Sequence, residues 1–213
     1  MAVTTPDNIV TPDDGDDYAL VQDLGALADS VQEAITDWKN YGIGTNADRL
    51  ALTGSSNPPL KDGLLWYATD TDIYWRYDGS AWDVVIQPWT TYTPTATNAS
   101  GGTLNGRYMR IGKTVHVGIR HLSPTITGQP TYLLPLTAVD SATYWFAGSG
   151  VARDNSPVVE FQLVPRKISN TSVAPYLLAT PATYTQFANV SATIPFTWTT
   201  NDFIDLRFTY EAA

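Results

Sequence analysis

Short apolar and aromatic runs, separated by turn residues, fill the chain from residue 63 onward. Residues 114–120 alternate apolar and polar side chains as a half-buried strand does, and residues 203–210 alternate in the same way. Further strand-length runs lie near 131–136, 143–152, 157–164, 173–179 and 183–194. Because no helical stretch interrupts them, α/β nucleotide-binding folds are disfavoured. We predict a mainly β chain in which residues 89–213 form an antiparallel β-sandwich or jelly-roll domain.

Residues 63–88 predict an aromatic three-stranded β-meander. Asp78 and Gly79 separate two aromatic runs, which is a strong signal for a hairpin. A meander of three strands is too thin to bury its own aromatic surface, so it needs a second layer. In a symmetric oligomer the neighbouring chains would provide that layer. The tryptophans that we expect at this interface are Trp66, Trp75 and Trp82.

The N-terminal segment differs from the rest of the chain in charge. Residues 1–40 hold nine acidic residues and one lysine, although the whole chain of 213 residues has a net charge of −9. Residues 41–213 are therefore nearly neutral. This break in composition predicts an acidic N-terminal anchor over residues 1–41, followed by a separate body. The connector between them, residues 42–62, is rich in Gly, Pro and Asn and shows no sustained period.

Residues 17–38 have the heptad pattern of a short amphipathic helix, and Gly42 supplies its stop. The apolar stripe is three positions wide per heptad, which fits three associating helices or docking on a body. We predict a trimeric, coiled-coil-like bundle; the alternative is a helix packed on its own β-domain. The helix residues expected at the trimer interface are Leu20, Leu24, Leu27, Val31, Ile35 and Trp38.

Composition excludes several classes of function. A net charge of −9 makes nucleic acid an unfavourable partner, because phosphate binding needs clustered Lys and Arg. The chain has no cysteine, which excludes disulfides, thiolate metal sites and thiol catalysis. It has no apolar run of membrane-spanning length, so we expect no membrane insertion.

Candidate catalytic and metal-ligating residues are sparse. His116 and His121 lie five residues apart, and this odd offset directs their side chains to opposite faces of a strand. Asp70 and Asp72 share a turn and could contact a cation, but turns favour aspartate for backbone hydrogen bonds anyway. We therefore expect no enzyme, no metal and no cofactor.

Several segments resemble the tail-fibre and receptor-binding (minor tail) proteins of bacteriophages, particularly those of actinobacterial hosts. The stretch Asp17–Leu24 is similar to their N-termini, and residues 66–82 look like their "YATDT…Y…YDGSAW" hairpin. Residues 89–95 and 104–115 are similar to the opening of their distal β-domain. The resemblance implies a homotrimeric virion protein that is anchored to other structural proteins through its N-terminal part.

Three functions fit the sequence. The first is a fibre protein at the tail that binds a host-surface polysaccharide during adsorption, since aromatic platforms suit sugar faces. The second is a head fibre or capsid decoration, and the third is a carbohydrate-binding module. Each candidate ligand residue could instead be a core or interface aromatic. These candidates are Tyr144, Trp145, Tyr176, Tyr184 and Trp198.

Overall fold

The computed structural model describes residues 3–4, 10–11, 25–31, 40–140, 146–179 and 184–213. The chain is mainly β, as the alternating sequence pattern predicts. It divides into a first unit, Met1–Val85, and a second unit, Ile86–Ala213. Within the described residues, neither helix has the length and apolar character needed to cross a membrane.

Among the described residues, the first unit contains short strands and two helical stretches. Its elements are β1 (Val3–Thr4), β2 (Val10–Thr11), α1 (25–31), β3 (Tyr41–Gly44), α2 (Asn46–Leu50), β4 (Leu65–Ala68), β5 (Ile73–Tyr77) and the start of β6 (Trp82–Tyr92). Strand β3 pairs in parallel with β4, and β4 pairs antiparallel with β5. The three-stranded meander is thus extended by β3 on one side.

The segment predicted as a connector contains regular structure in its first part, because residues 42–50 include most of β3 and all of α2. A capping box starts α2: the Thr45 hydroxyl accepts from the Asp48 amide, and the Asp48 carboxylate accepts from the Thr45 amide at 2.8 Å. These elements are four and five residues long. They are too short to produce a period in the sequence.

This part of the chain provides the second layer that the meander needs. Trp66 is only 4% exposed, and a Cβ at Gly42 or Gly44 would overlap its indole ring. The Arg49 guanidinium lies 4.0 Å from the ring centre of Trp75 and 5.0 Å from that of Trp82. Glycines of the same unit therefore contact Trp66, and Arg49 contacts Trp75 and Trp82. A place for these three tryptophans at an oligomer interface stays a prediction.

Among the described residues, the opposite face of the sheet in the first unit is largely exposed. Side chains alternate along strands, so the face opposite Trp66 carries Leu65 and Tyr67 on β4, and Tyr74 and the charged Arg76 on β5. On β3 this face carries Tyr41 and Ile43, which are 51% and 61% exposed. We call its five apolar and aromatic residues the outer apolar face of the first unit.

The second unit contains the remaining strands, which pair in the order β6–β8–β9–β15–β11–β12–β13–β10–β7, with β14 beside β13. Their bounds are β7 (Ala96–Ser100), β8 (Thr103–Ile111), β9 (Thr114–Leu122), β10 (Thr125–Leu133), β11 (Ala147–Asp154), β12 (Val159–Ser169), β13 (Ser172–Ala179), β14 (Gln186–Asn189) and β15 (Phe203–Glu211). One continuous order replaces the two separate sheets expected for a sandwich.

This long sheet curves until its inner face closes on itself. His121 of β9 and Tyr132 of β10 are five places apart in the strand order, yet His121 Nδ1 lies 3.3 Å from the Tyr132 hydroxyl. Val115 of β9 and Val173 of β13 belong to the same buried cluster. The inner face therefore forms the hydrophobic core.

Only part of the predicted N-terminal helix lies among the described residues. Residues 25–31 are helical, with Leu27 partly buried and Val31 40% exposed. The other interface residues predicted in this helix lie outside the described residues. They are Leu20, Leu24, Ile35 and Trp38.

Candidate ligand-binding face of the second unit

Three arginines come together on the outer face of strands β8, β9 and β15. In the register of the sheet, Arg107 of β8 lies opposite Gly118 of β9, and Gly118 lies opposite Arg207 of β15. The next outward row joins Asn105 of β8 to Arg120 of β9. The side chains share one face because strand positions two apart point the same way.

These side chains line an open groove with a volume of about 380 Å³. Gly118 forms part of the floor, and the arginine side chains stand around it. Polar groups of Thr91, Thr93 and Asn105 complete the lining. We call this the arginine groove. It offers many hydrogen-bond donors on a rigid sheet, which suits a polar, oxygen-rich ligand.

Aromatic rings hold two of the arginines in place. The Arg107 guanidinium lies 4.7 Å from the ring centre of Trp89, and that of Arg120 lies 4.3 Å from the ring centre of Phe203. Stacking of this kind fixes the plane of the guanidinium and leaves its N–H edges free to donate. Trp89 is itself 47% exposed, so part of its ring remains open to a ligand.

The groove is positive although the chain as a whole is negative. Arg207 Nε donates to Asp205 Oδ1 at 3.1 Å. Among the described residues, no carboxylate forms an ion pair with Arg107 or Arg120. Three guanidinium groups therefore face one carboxylate, and an anionic group entering the groove would meet an attractive field.

A second groove, of about 360 Å³, adjoins the first across Arg207. Its lining includes Trp89, Met109 and His116, and the His116 Nδ1 lies 2.9 Å from the Thr209 hydroxyl. The two grooves share Arg207. Both grooves therefore lie beside the same arginine on the outer face of the sheet.

Tyr92 supports the arginine groove from beneath. Its ring meets Tyr108 edge-on at 5.9 Å, and its hydroxyl is buried without a hydrogen-bond partner. Burial raises the pKa of the Tyr92 phenol, with a smaller contribution from Tyr210. The phenol therefore stays neutral, and it adds no negative charge beneath the arginines.

The structure separates the ligand residues predicted from the sequence. Tyr144 and Trp145 lie outside the described residues. The Trp198 indole packs against Phe196 and donates to the Ser191 carbonyl at 2.9 Å, so it serves the core. Tyr176 lies on β13 beneath the Arg166 guanidinium, and Tyr184 is 76% exposed. None of these described residues lines the arginine groove.

The candidate metal ligands have other roles. Asp70 accepts a hydrogen bond from the Asn46 amide at 2.8 Å, and Asp72 accepts one from the Tyr67 hydroxyl at 2.6 Å. His116 lies on the outer face of β9, whereas His121 is buried on the inner face, as their odd offset predicts. Within the described ranges, no three His, Asp or Glu side chains are grouped to hold a metal ion.

Sequence reasoning missed the arginines because it looked for aromatic platforms alone. The available signal was their placement: Arg120 and Arg207 occupy outward positions of the two most clearly alternating strands. Arg107 follows the same rule on β8. What the sequence could not provide was the register that brings β8, β9 and β15 side by side.

The sequence matches no protein-family model and no curated protein. Among solved structures, the chain is similar to a fragment of avian reovirus sigmaC, residues 117–326, with 12% identity and a TM-score of 0.36. The match covers 91% of this chain and 95% of the sigmaC fragment. This similarity is too low to establish a shared fold or a shared function.

Proposed function

We propose that the protein is a fibre or spike protein of a bacteriophage virion, and that its second unit binds a polysaccharide on the host cell surface. The observation that carries the proposal is the arginine groove with Trp89 at its edge. An exposed aromatic ring beside many hydrogen-bond donors is the combination that binds the apolar faces and the hydroxyl groups of sugars. The phage assignment comes from the sequence resemblance.

The groove supports binding and not hydrolysis. Glycosidases use two carboxylates that flank the bond to be cleaved. Among the described residues, the lining of the arginine groove includes no carboxylate. The neighbouring Asp205 is engaged by the Arg207 guanidinium at 3.1 Å. We therefore propose a non-catalytic attachment role.

Replacing the exposed tryptophan tests the binding face. We expect Trp89→Ala to weaken binding of the purified protein to intact cells by about tenfold, because a stacking surface for a sugar ring is lost. The probes are whole cells and isolated cell walls from a panel of actinobacterial strains, with bound protein quantified after washing. Tyr184→Ala is the matched control, since Tyr184 is an even more exposed aromatic away from the groove.

The possible outcomes test the location of the binding site and the attachment role separately. Equal loss of binding in the Tyr184→Ala control, or none in Trp89→Ala, would place the ligand elsewhere. Failure of the unmodified protein to bind any strain or wall preparation would contradict the attachment role itself.

We further propose that the protein is a homotrimer and that residues 1–41 join it to other virion proteins. The outer apolar face of the first unit supports association, because five apolar and aromatic side chains on one sheet face are costly to leave in water. Two further copies present the same face, so the faces of three chains can cover one another around a three-fold axis.

Charge placed on this face tests the assembly. We expect the unmodified protein to sediment as three chains of 23.2 kDa, and Ile43→Asp to sediment as one at micromolar concentration. The physical reason is that burying an unpaired carboxylate in an apolar interface is strongly unfavourable. Leu50→Asp is the control, since Leu50 is 66% exposed on α2 and not on this sheet face. A monomeric parent protein, or a trimeric Ile43→Asp variant, would contradict the proposal.

A further inference from the structure

We infer that the ligand of the arginine groove is an acidic polysaccharide, a saccharide chain that carries carboxylate or phosphodiester groups at intervals. The inference rests on the proposed attachment function and specifies its substrate class. Arg107, Arg120 and Arg207 are the residues that would bind the anionic groups. Their spacing, their partners and the glycine between them favour such a ligand.

The spacing fits a chain that crosses the strands. Arg107 and Arg207 flank Gly118 on the two neighbouring strands, so roughly 10 Å separates their backbones at about 4.8 Å per strand. Arg120 lies one outward row further along β9. A linear polymer lying across β8, β9 and β15 would meet a guanidinium on each strand, and a repeating anion would be contacted more than once.

Gly118 lets the Arg207 side chain lie against the floor of the groove. A Cβ at this position would lie 3.3 Å from Arg207 Nη1 and 3.4 Å from Arg207 Cζ. A larger side chain would therefore push the Arg207 guanidinium away from this floor. The glycine thus helps to place one of the three guanidinium groups.

The electrostatics favour an anion over a neutral sugar. Asn and Thr side chains alone would satisfy the hydroxyl groups of a neutral glycan, as Asn105, Thr91 and Thr93 do here. Three guanidinium groups with one nearby carboxylate go beyond that need, in a chain of net charge −9. Asp205 contacts Arg207 through Nε, which leaves the Nη edge to face the groove. Guanidinium groups bind carboxylate and phosphate oxygens in a bidentate manner.

A pair of polymers that differ only in charge gives the sharpest test. We expect the full chain to bind polygalacturonate, or a poly(glycerol phosphate) teichoic acid, and to bind fully methyl-esterified polygalacturonate at least about tenfold more weakly. The two acidic polymers distinguish carboxylate from phosphodiester recognition. Calorimetry or surface binding provides the affinities, and affinity should fall as salt rises, because screening weakens exposed charge contacts.

Neutral substitutions test whether the three arginines bind the acidic polymer. Each of Arg107→Gln, Arg120→Gln and Arg207→Gln should weaken binding to the acidic polymer by about tenfold. Arg76→Gln is the matched control, because Arg76 is an exposed arginine of the first unit whose carboxylate neighbour lies 3.9 Å away. Circular dichroism of each variant confirms that the fold is retained.

Each other outcome overturns the inference. Equal affinity for polygalacturonate and for its methyl ester would show that the protein does not recognise the charge of the polymer. If the three groove variants lose no more affinity for the acidic polymer than Arg76→Gln does, the groove is not the binding site. Equally tight binding of a single-stranded oligonucleotide of the same charge would show that the groove does not select a saccharide. If the protein still binds host cells in any of these cases, the attachment function stands and only the acidic ligand is rejected.

Discussion

Replacing Trp66 by alanine is expected to lower the free energy of unfolding of the first unit by about 4 kcal/mol. Trp66 is 4% exposed, and its ring fills the space above Gly42 and Gly44. Both glycines lie on β3, which has only four residues. Without the indole, neither a side chain of β3 nor the short helix α2 can fill the cavity, so the layer that covers the meander loses its central contact.

Trp89→Ala is the matched control for this experiment. Trp89 is the same residue type but is 47% exposed, so its removal leaves little cavity and should cost less than about 1 kcal/mol. Urea unfolding followed by far-ultraviolet circular dichroism measures both variants without relying on the tryptophan signal. Equal destabilisation by the two substitutions would contradict the assignment of Trp66 to the interior of the first unit.

The second unit shows how much local alternation can predict. On β9 the pattern places Val115, Val117 and Ile119 inward, and all three are at most 2% exposed. On β15 it places Leu206, Phe208 and Tyr210 inward, and these are buried as well. Period-two alternation depends only on the geometry of a strand, so it can be read without knowing which strands are neighbours.

The order of the strands in the sheet cannot be predicted from local alternation. Strands β9 and β15 pair along their whole lengths, yet about eighty residues of chain separate them. No local signal specifies such a pairing, because it depends on which inner faces pack best together. The difference between the predicted sandwich and the observed sheet has the same cause as the missed arginine groove, because both depend on non-local strand pairing.

In the first unit, by contrast, the elements are too short for the sequence pattern to predict them. Arg49 is 5% exposed and stacks on two tryptophans, an environment that the hydropathy of arginine does not predict. Burial lowers the pKa of the Arg49 guanidinium. The sequence-based prediction that the thin meander needs a second layer did not include a guanidinium of the same unit, which contacts two of its tryptophans through its flat face.

The hairpin glycines allow a second large effect to be tested. Gly102 joins β7 to β8 with a φ of +62°, and Gly112 joins β8 to β9 with a φ of +56°. Alanine at either position has to adopt a left-handed conformation, which costs about 1–2 kcal/mol. The two sites therefore share the same backbone strain, and any difference between the variants comes from the space around the new methyl group.

That space differs completely between the two sites. At Gly112 no atom lies within 4 Å of an added Cβ, whereas at Gly102 the Cβ would overlap the Leu122 carbonyl oxygen and lie 2.5 Å from that of Ser123. Backbone atoms at the end of β9 cannot rotate away as a side chain can. We expect Gly112→Ala to cost about 1–2 kcal/mol and Gly102→Ala about 3 kcal/mol more, measured by urea unfolding of the full chain. Similar losses in the two variants would mean that the β7–β8 turn does not pack against the end of β9. His121 Nε2, 2.9 Å from the Gly101 carbonyl, would then lose the contact that explains its burial.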